Sequence, residues 1–162
     1  FVASTNENDT VPKFMKTGTY EKQKTISTIT NAMDVGDPSN FVRILSLYNN
    51  NFNELKKELT AYKFSDEETI LGIRELYHKS KYLLDPHGAT AFLGLKKYLF
   101  NNPETTGLFL ETAHPVKFLD TVENALNINI DIPQHILELK KKEKSKIQIR
   151  EYKQLKSFLL SR

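Results

Sequence analysis

The sequence predicts a helix-rich α/β fold in which a few parallel strands are packed by several helices. Three observations lead there. Apolar segments at residues 1–5 and 107–110 each run into a polar turn and then helix-type sequence, as strands of a parallel sheet do. The stretches between them repeat apolar residues at helical spacing behind recognisable caps. The 162 residues, 39% hydrophobic and 27% charged, form an ordinary globular composition long enough for one sizeable core.

Taken in order, Phe1-Val2-Ala3-Ser4-Thr5 is β-prone with no preceding charged region, so the chain is expected to start inside a strand and to be a fragment. Asn8 or Asp9 should cap a short helix carrying Val11, Phe14 and Met15 and ending near Gly18. Residues 20–39, crowded with Asn31, Asp34, Gly36, Asp37 and Pro38, predict a long ordered loop. Such loops in compact domains are uncommon unless functional, so this is the first place to look for a site. After Ser39, expected as an N-cap, Phe41, Ile44, Leu45, Leu47 and Tyr48 predict a helix that the Asn49-Asn50-Asn51 run stops.

A further helix is expected over 53–62. Ser65 and Glu68 then form a Ser-x-x-Glu capping box for a helix over 66–81, with Ile70, Ile73, Leu76 and Tyr77 toward a core. Asp85-Pro86, a capping carboxylate before a proline at the first helical position, opens a helix to about Phe100. Gly107-Leu108-Phe109-Leu110 predicts a second buried strand, ending at Glu111-Thr112-Ala113-His114 before Pro115 starts another helix. Pro133 begins a lysine-rich helix, residues 146–149 alternate like a short strand, and Tyr152, Leu155, Phe158 and Leu159 mark a last amphipathic helix.

Composition excludes several functions. With no cysteine there is no thiol nucleophile, zinc ribbon or disulfide, which fits a reducing compartment, and the cytoplasm is the default expectation. No apolar run is long enough to span a membrane. Much of the net charge of +3 sits in Lys140, Lys141, Lys142, Lys144 and Lys146, which lack interleaved aromatics and are expected to be a solvated face, not a nucleic-acid footprint. No phosphate-cradling glycine motif, HExxH or GxSxG occurs, and His78, His87, His114 and His135 have no metal-ligand spacing.

Chemistry could sit at three places. Thr112 carries a hydroxyl at the end of an expected strand, where open α/β sheets bind ligands, with simple capping as the competing reading. His87 and His114 lie beside helix starts, where backbone N–H groups favour an anionic ligand. Residues 31–43 offer amides, carboxylates, hydroxyls and Arg43, a side chain suited to a bidentate anion. The competing reading there is turn chemistry, with Asp34 and Asp37 bonding their own backbone, Ser39 capping and Arg43 bridging to a surface carboxylate.

Four segments in this order resemble the C-terminal portion of the threonine synthase family: 3–9 (ASTNEND), 30–41 (TNAMDVGDPSNF), 85–89 (DPHGA) and 112–118 (TAHPVKF). The resemblance runs to about Leu126, and the tail matches only in general pattern. It implies a pyridoxal-phosphate enzyme of fold type II that converts O-phospho-L-homoserine and water into L-threonine and phosphate, the cofactor acting as the electron sink. It also implies that the aldimine lysine and the loop cradling the cofactor phosphate lie upstream of Phe1, so that this chain alone is inactive and its partners are that N-terminal half and the small-molecule substrate. Residues 1–126 would then be the C-terminal part of the catalytic domain, and 127–162 a helical and short-strand extension of it.

Carried over residue by residue, the resemblance makes Thr112 the hydroxyl partner of the pyridine nitrogen. It places Asn6, Asn31, Ser39, Asn40, Arg43, Asp85, His87 and Lys117 at family motif positions near the site. Two departures, Asp37 where Asn is usual and Val42 where Glu is frequent, touch only details of the loop. Two other readings compete. One is a related phospho-lyase of the same fold type; the other is a non-catalytic helical interaction module. A module has no need for the Thr112, His87 and 31–43 segments to converge on one surface.

Overall fold

The computed structural model describes residues 1–161. It divides into two compact units, Phe1–Ile130 and the residues from Asp131 onward. In the first unit, β1 (Val2–Thr5) pairs in parallel with β2 (Thr60–Lys63), Val2 opposite Thr60 and Thr5 opposite Lys63. The crossover between them carries α1 (Thr10–Thr17), α2 (Phe41–Leu47) and α3 (Phe52–Glu58). The helix expected over 53–62 therefore stops at Glu58. The Asn51 side chain caps its start by accepting from the N–H groups of Asn53 and Glu54, and Leu59 turns extended. Thr60, Ala61 and Tyr62 join β1 instead, because sheet pairing satisfies backbone groups that the weak periodicity of this stretch could not commit to a helix.

Two hydrophobic clusters hold this unit. Phe14, Met15, Phe41 and Leu55 form one, with Phe14 meeting Phe41 and Phe52 edge to face at centroid separations of 5.2 and 5.4 Å. Ile73, Leu84, Ala89, Val122 and Ala125 form the other, between α4 (Asp66–Ser80), α5 (Pro86–Asn101) and α6 (Leu119–Leu126). Each fully buried Ile, Leu or Val there contributes about 1.5–3 kcal/mol. The Ser65–Glu68 capping box and the Asp85-Pro86 start both form as the sequence predicts. Helix α5 packs on α4 and also crosses β1 at Gly94, where a Cβ would collide with the Ser4 hydroxyl.

Other expectations change. Asp9 stands at the α1 N-cap position but makes no capping bond; its carboxylate pairs with Lys13 at 3.0 Å and Lys63 at 3.7 Å. Ser39 is not the α2 cap: Asn40 holds that place in helical conformation, again without a side-chain bond. Residues 107–110 are extended but unpaired among the described residues. Phe109 packs on Phe92 at 5.8 Å while Leu108 and Leu110 are 80% and 70% exposed, the alternation of a strand without a sheet. The helix after Pro115 begins as a 3₁₀ turn, Pro115–Phe118, before α6. In the second unit α7 (Gln134–Lys140) and α8 (Tyr152–Leu160) form, whereas residues 146–149 pair with nothing, there being no strand edge in that unit to receive them. No described helix is long and apolar enough to cross a membrane.

Candidate active site

The N-terminus of α5 is where separated segments meet. Asp85, fully buried, accepts from the N–H groups of His87 at 2.9 Å and Gly88 at 3.3 Å, which fixes the first turn behind Pro86. The same carboxylate lies 2.8 Å from His87 Nδ1, and His87 Nε2 accepts from the Ala32 N–H at 3.2 Å. Since Nε2 must present a lone pair to that amide, the hydrogen sits on Nδ1 and points at Asp85. The imidazole meets the Phe118 ring at a centroid distance of 4.7 Å, the two planes tilted by 54°. One ring therefore joins the 31–33 turn, the start of α5 and the segment after Thr112.

Glu111 adds a fourth contact. Its Oε1 accepts from the Asp85 N–H at 3.2 Å, and its carboxyl occupies space above Gly88 that a Cβ would fill. Burial, and the neighbouring Asp85 carboxylate, push the Glu111 carboxyl up to about 7. Thr112, the next residue, is exposed and its hydroxyl makes no hydrogen bond among the described residues. It is free to serve a ligand.

The 20–39 loop is ordered by a buried amide network. Asn6 Nδ2 donates to Thr28 Oγ1, Thr30 Oγ1 and Asp34 Oδ1 at 2.8, 2.9 and 2.8 Å, while Asn6 Oδ1 accepts from the Asn8 N–H at 2.9 Å. Asp34 also accepts from the Thr28 hydroxyl and N–H, at 2.7 and 3.0 Å. Asp34 thus ties across the loop and does not bond its own backbone, and Asp37 meets Tyr20 and Lys22 instead. Asn6 is 1% exposed and acts here as the loop's anchor. By holding residues 28–34, it sets where the Ala32 amide meets His87.

The remaining sequence candidates are distributed unevenly. Asn31 is exposed at the head of the 3₁₀ turn, Asn31–Met33, that carries Ala32. Lys117 is exposed beside Phe118. Ser39, Asn40 and Arg43 are exposed at the start of α2, and no hydrogen bond or ion pair ties their side chains to the α5 cluster among the described residues. His114 caps its 3₁₀ turn by accepting from the Val116 N–H at 3.2 Å. Sequence reasoning missed Glu111 and Phe118 as site-forming residues. Neither carries a one-dimensional signal, since each matters through a partner 26 or 31 positions away.

Comparison with known proteins gives this arrangement a family. Residues 1–108 match the model described as "Pyridoxal-phosphate dependent enzyme". This chain belongs to that family. Within the pyridoxal-phosphate dependent enzymes, residues 89–159 match "Threonine synthase, C-terminal". The threonine synthase of Haemophilus influenzae is 42% identical over 134 residues, which are 83% of this chain and 31% of that protein. That of Buchnera aphidicola subsp. Baizongia pistaciae is 40% identical across 100% of this chain and 37% of its own length. Among solved structures, threonine synthase from Escherichia coli superposes with a TM-score of 0.78 at 41% identity, covering 85% of this chain and 31% of that one. The yeast enzyme gives 0.74 at 30% identity, with 89% and 38% covered. The chain thus spans about a third of the length of the curated relatives it matches. The family's cofactor is pyridoxal phosphate, and a threonine synthase from Brucella melitensis, 25% identical with a TM-score of 0.71, is described as bound to it.

Proposed function

We propose that this chain is the C-terminal part of a cytoplasmic threonine synthase, which turns O-phospho-L-homoserine and water into L-threonine and phosphate. The observation that carries the reading is the convergence at the α5 N-terminus. His87 reaches Ala32 and Phe118, Asn6 reaches Thr30 and Asp34, and Glu111 reaches Asp85, so all four family-like segments are linked through contacts with one another. A helical interaction module would not require this.

The residues fit one edge of the cofactor. Thr112 offers a neutral, unpartnered hydroxyl, suited to an uncharged ring nitrogen, and the adjacent acid, Glu111, is engaged with the Asp85 N–H. When bound, pyridoxal phosphate supplies an electron sink for charge developing on the substrate. The chain's own groups position: Asp85 and His87 fix the α5 start, and the Asn6 network fixes the loop facing His87. A neutral hydroxyl sets a weaker sink than a carboxylate would, because it cannot hold the ring nitrogen protonated. The substrate contacts in this reading are Asn31 and Lys117, both exposed, with Ser39, Asn40 and Arg43 contributing from the α2 start. Residues 1–126 act as part of the catalytic domain, and 127–162 as its extension.

Activity then requires an upstream half that carries the anchoring lysine and the phosphate loop. The test is to supply that half and pyridoxal phosphate to this chain and assay phosphate and threonine from O-phosphohomoserine. Turnover only with both halves, reduced on the order of a hundredfold or more by Thr112→Val at unchanged folding, is the expected outcome. A folded pair without turnover, or a Thr112→Val pair with full turnover, would refute the assignment.

A further inference from the structure

Between Gly107 and Ala113 the backbone makes no backbone–backbone hydrogen bond among the described residues, although Thr112 lies in it. What holds this stretch is side-chain contact: Phe109 on Phe92, and Glu111 on the α5 N-terminus. The Glu111–Asp85 bond is its one polar anchor. Its geometry is specific, because Oε1 takes the Asp85 N–H while Oε2 is fully buried and finds no donor. A buried carboxylate oxygen without a donor is costly, whereas a protonated one can donate to the adjacent Asp85 carboxylate. Gly88 keeps open the space in which the acid sits.

We propose that Glu111 is a positioning residue, a protonated acid that clamps the Thr112 segment onto the start of α5 and releases it when ionised. The inference rests on the reading of Thr112 as a cofactor contact, and it adds the device that sets where that hydroxyl stands. The groups around it define the switch. Asp85 faces Glu111 from α5, and His87 faces the Asp85 carboxylate through Nδ1. His114 and Lys117, on the segment itself, are exposed. No lysine or arginine ion-pairs with either acid among the described residues, so ionising Glu111 sets a second carboxylate, without a cation of its own, beside that of Asp85.

Hydrogen exchange at the Asp85 amide, which Glu111 accepts, and at the Lys117 amide of the turn after Thr112, in the full chain and corrected for intrinsic rates, tests this. From about pH 6 to about pH 8, protection of these amides should fall roughly tenfold in the unaltered chain. Glu111→Gln keeps an acceptor for the Asp85 N–H and gains a donor for its carboxylate, so its protection should not change with pH. Glu111→Leu should be unprotected at both. Equal pH dependence in Glu111→Gln, or full protection in Glu111→Leu, would overturn the proposal. Failure of the Thr112 reading shows separately, as turnover that survives Thr112→Val while the exchange pattern persists.

Discussion

Replacing Asp85 by alanine tests the site's central junction. The substitution removes the α5 cap, leaving the N–H groups of His87 and Gly88 without their 2.9 and 3.3 Å partners. Loss of a capping carboxylate costs about 0.5–2 kcal/mol. His87 Nδ1–H also loses its acceptor while its side chain is only 9% exposed, adding about 1–2 kcal/mol for a buried unpaired donor. Against this, removing a fully buried charge beside Glu111 returns roughly 1 kcal/mol. The net expectation is a loss of about 2 kcal/mol, or a fall of roughly 4–8 °C in Tm for a chain of this size, measured by circular dichroism. Asp85→Asn keeps one acceptor, enough for the His87 N–H and Nδ1–H, but not the one for Gly88, and should lose less than the alanine variant. A change below about 0.5 kcal/mol in Asp85→Ala, or an asparagine variant as unstable as the alanine one, would refute this account of the junction.

Two further outcomes follow from the same contacts. Gly88→Ala places a Cβ against the Glu111 carboxyl, so it should destabilise by about 1–2 kcal/mol although alanine is the better helix former; combined with Glu111→Ala, the same change should become neutral or stabilising, which a double-mutant cycle in urea measures. Stability should also decline as pH rises from about 4.5 to about 7, because Glu111 binds its proton more tightly folded than unfolded; the full shift would be about 3 kcal/mol, and solvent screening of a partly exposed acid reduces the expectation to about 1–2 kcal/mol. Asp9 acts with the opposite sign: burial would raise it, but Lys13, Gln23 and Lys63 bring it below 3.8, so its contribution disappears only in strong acid. Urea midpoints that are flat between about pH 4.5 and about pH 7, or that Glu111→Gln leaves equally sloped, would contradict the first of these.

The parts of the fold legible in the sequence were those whose cause is local. The capping box at Ser65 and the Asp85-Pro86 start write their physics within four residues, and both helices form where expected. The 53–62 stretch was misread because its fate depends on a partner far away in the chain: Thr60–Lys63 becomes a strand only because Val2–Thr5 offers a parallel edge. Residues 107–110 show the reverse. They have strand sequence and strand alternation, yet no edge among the described residues receives them. The motif positions Asp85, His87 and Asn6 proved to be structurally engaged, whereas Ser39, Asn40 and Arg43 remain at the surface without a tie to the cluster. Their place in a site therefore rests on the family resemblance and not on contacts.

On the proposed reading, the convergence gives a densely satisfied helix start a role beside a site. An exposed helix N-terminus attracts anions to its free N–H groups. Here Asp85 already takes those of His87 and Gly88, and Glu111 takes that of Asp85 itself. The start of α5 is consequently a rigid post and no longer an anion trap. What it holds in register is the Ala32 amide through His87, the Phe118 ring through its tilted contact with His87, and the Thr112 segment through Glu111. Groups on two loops gain the precision of a helix by being bonded to its end.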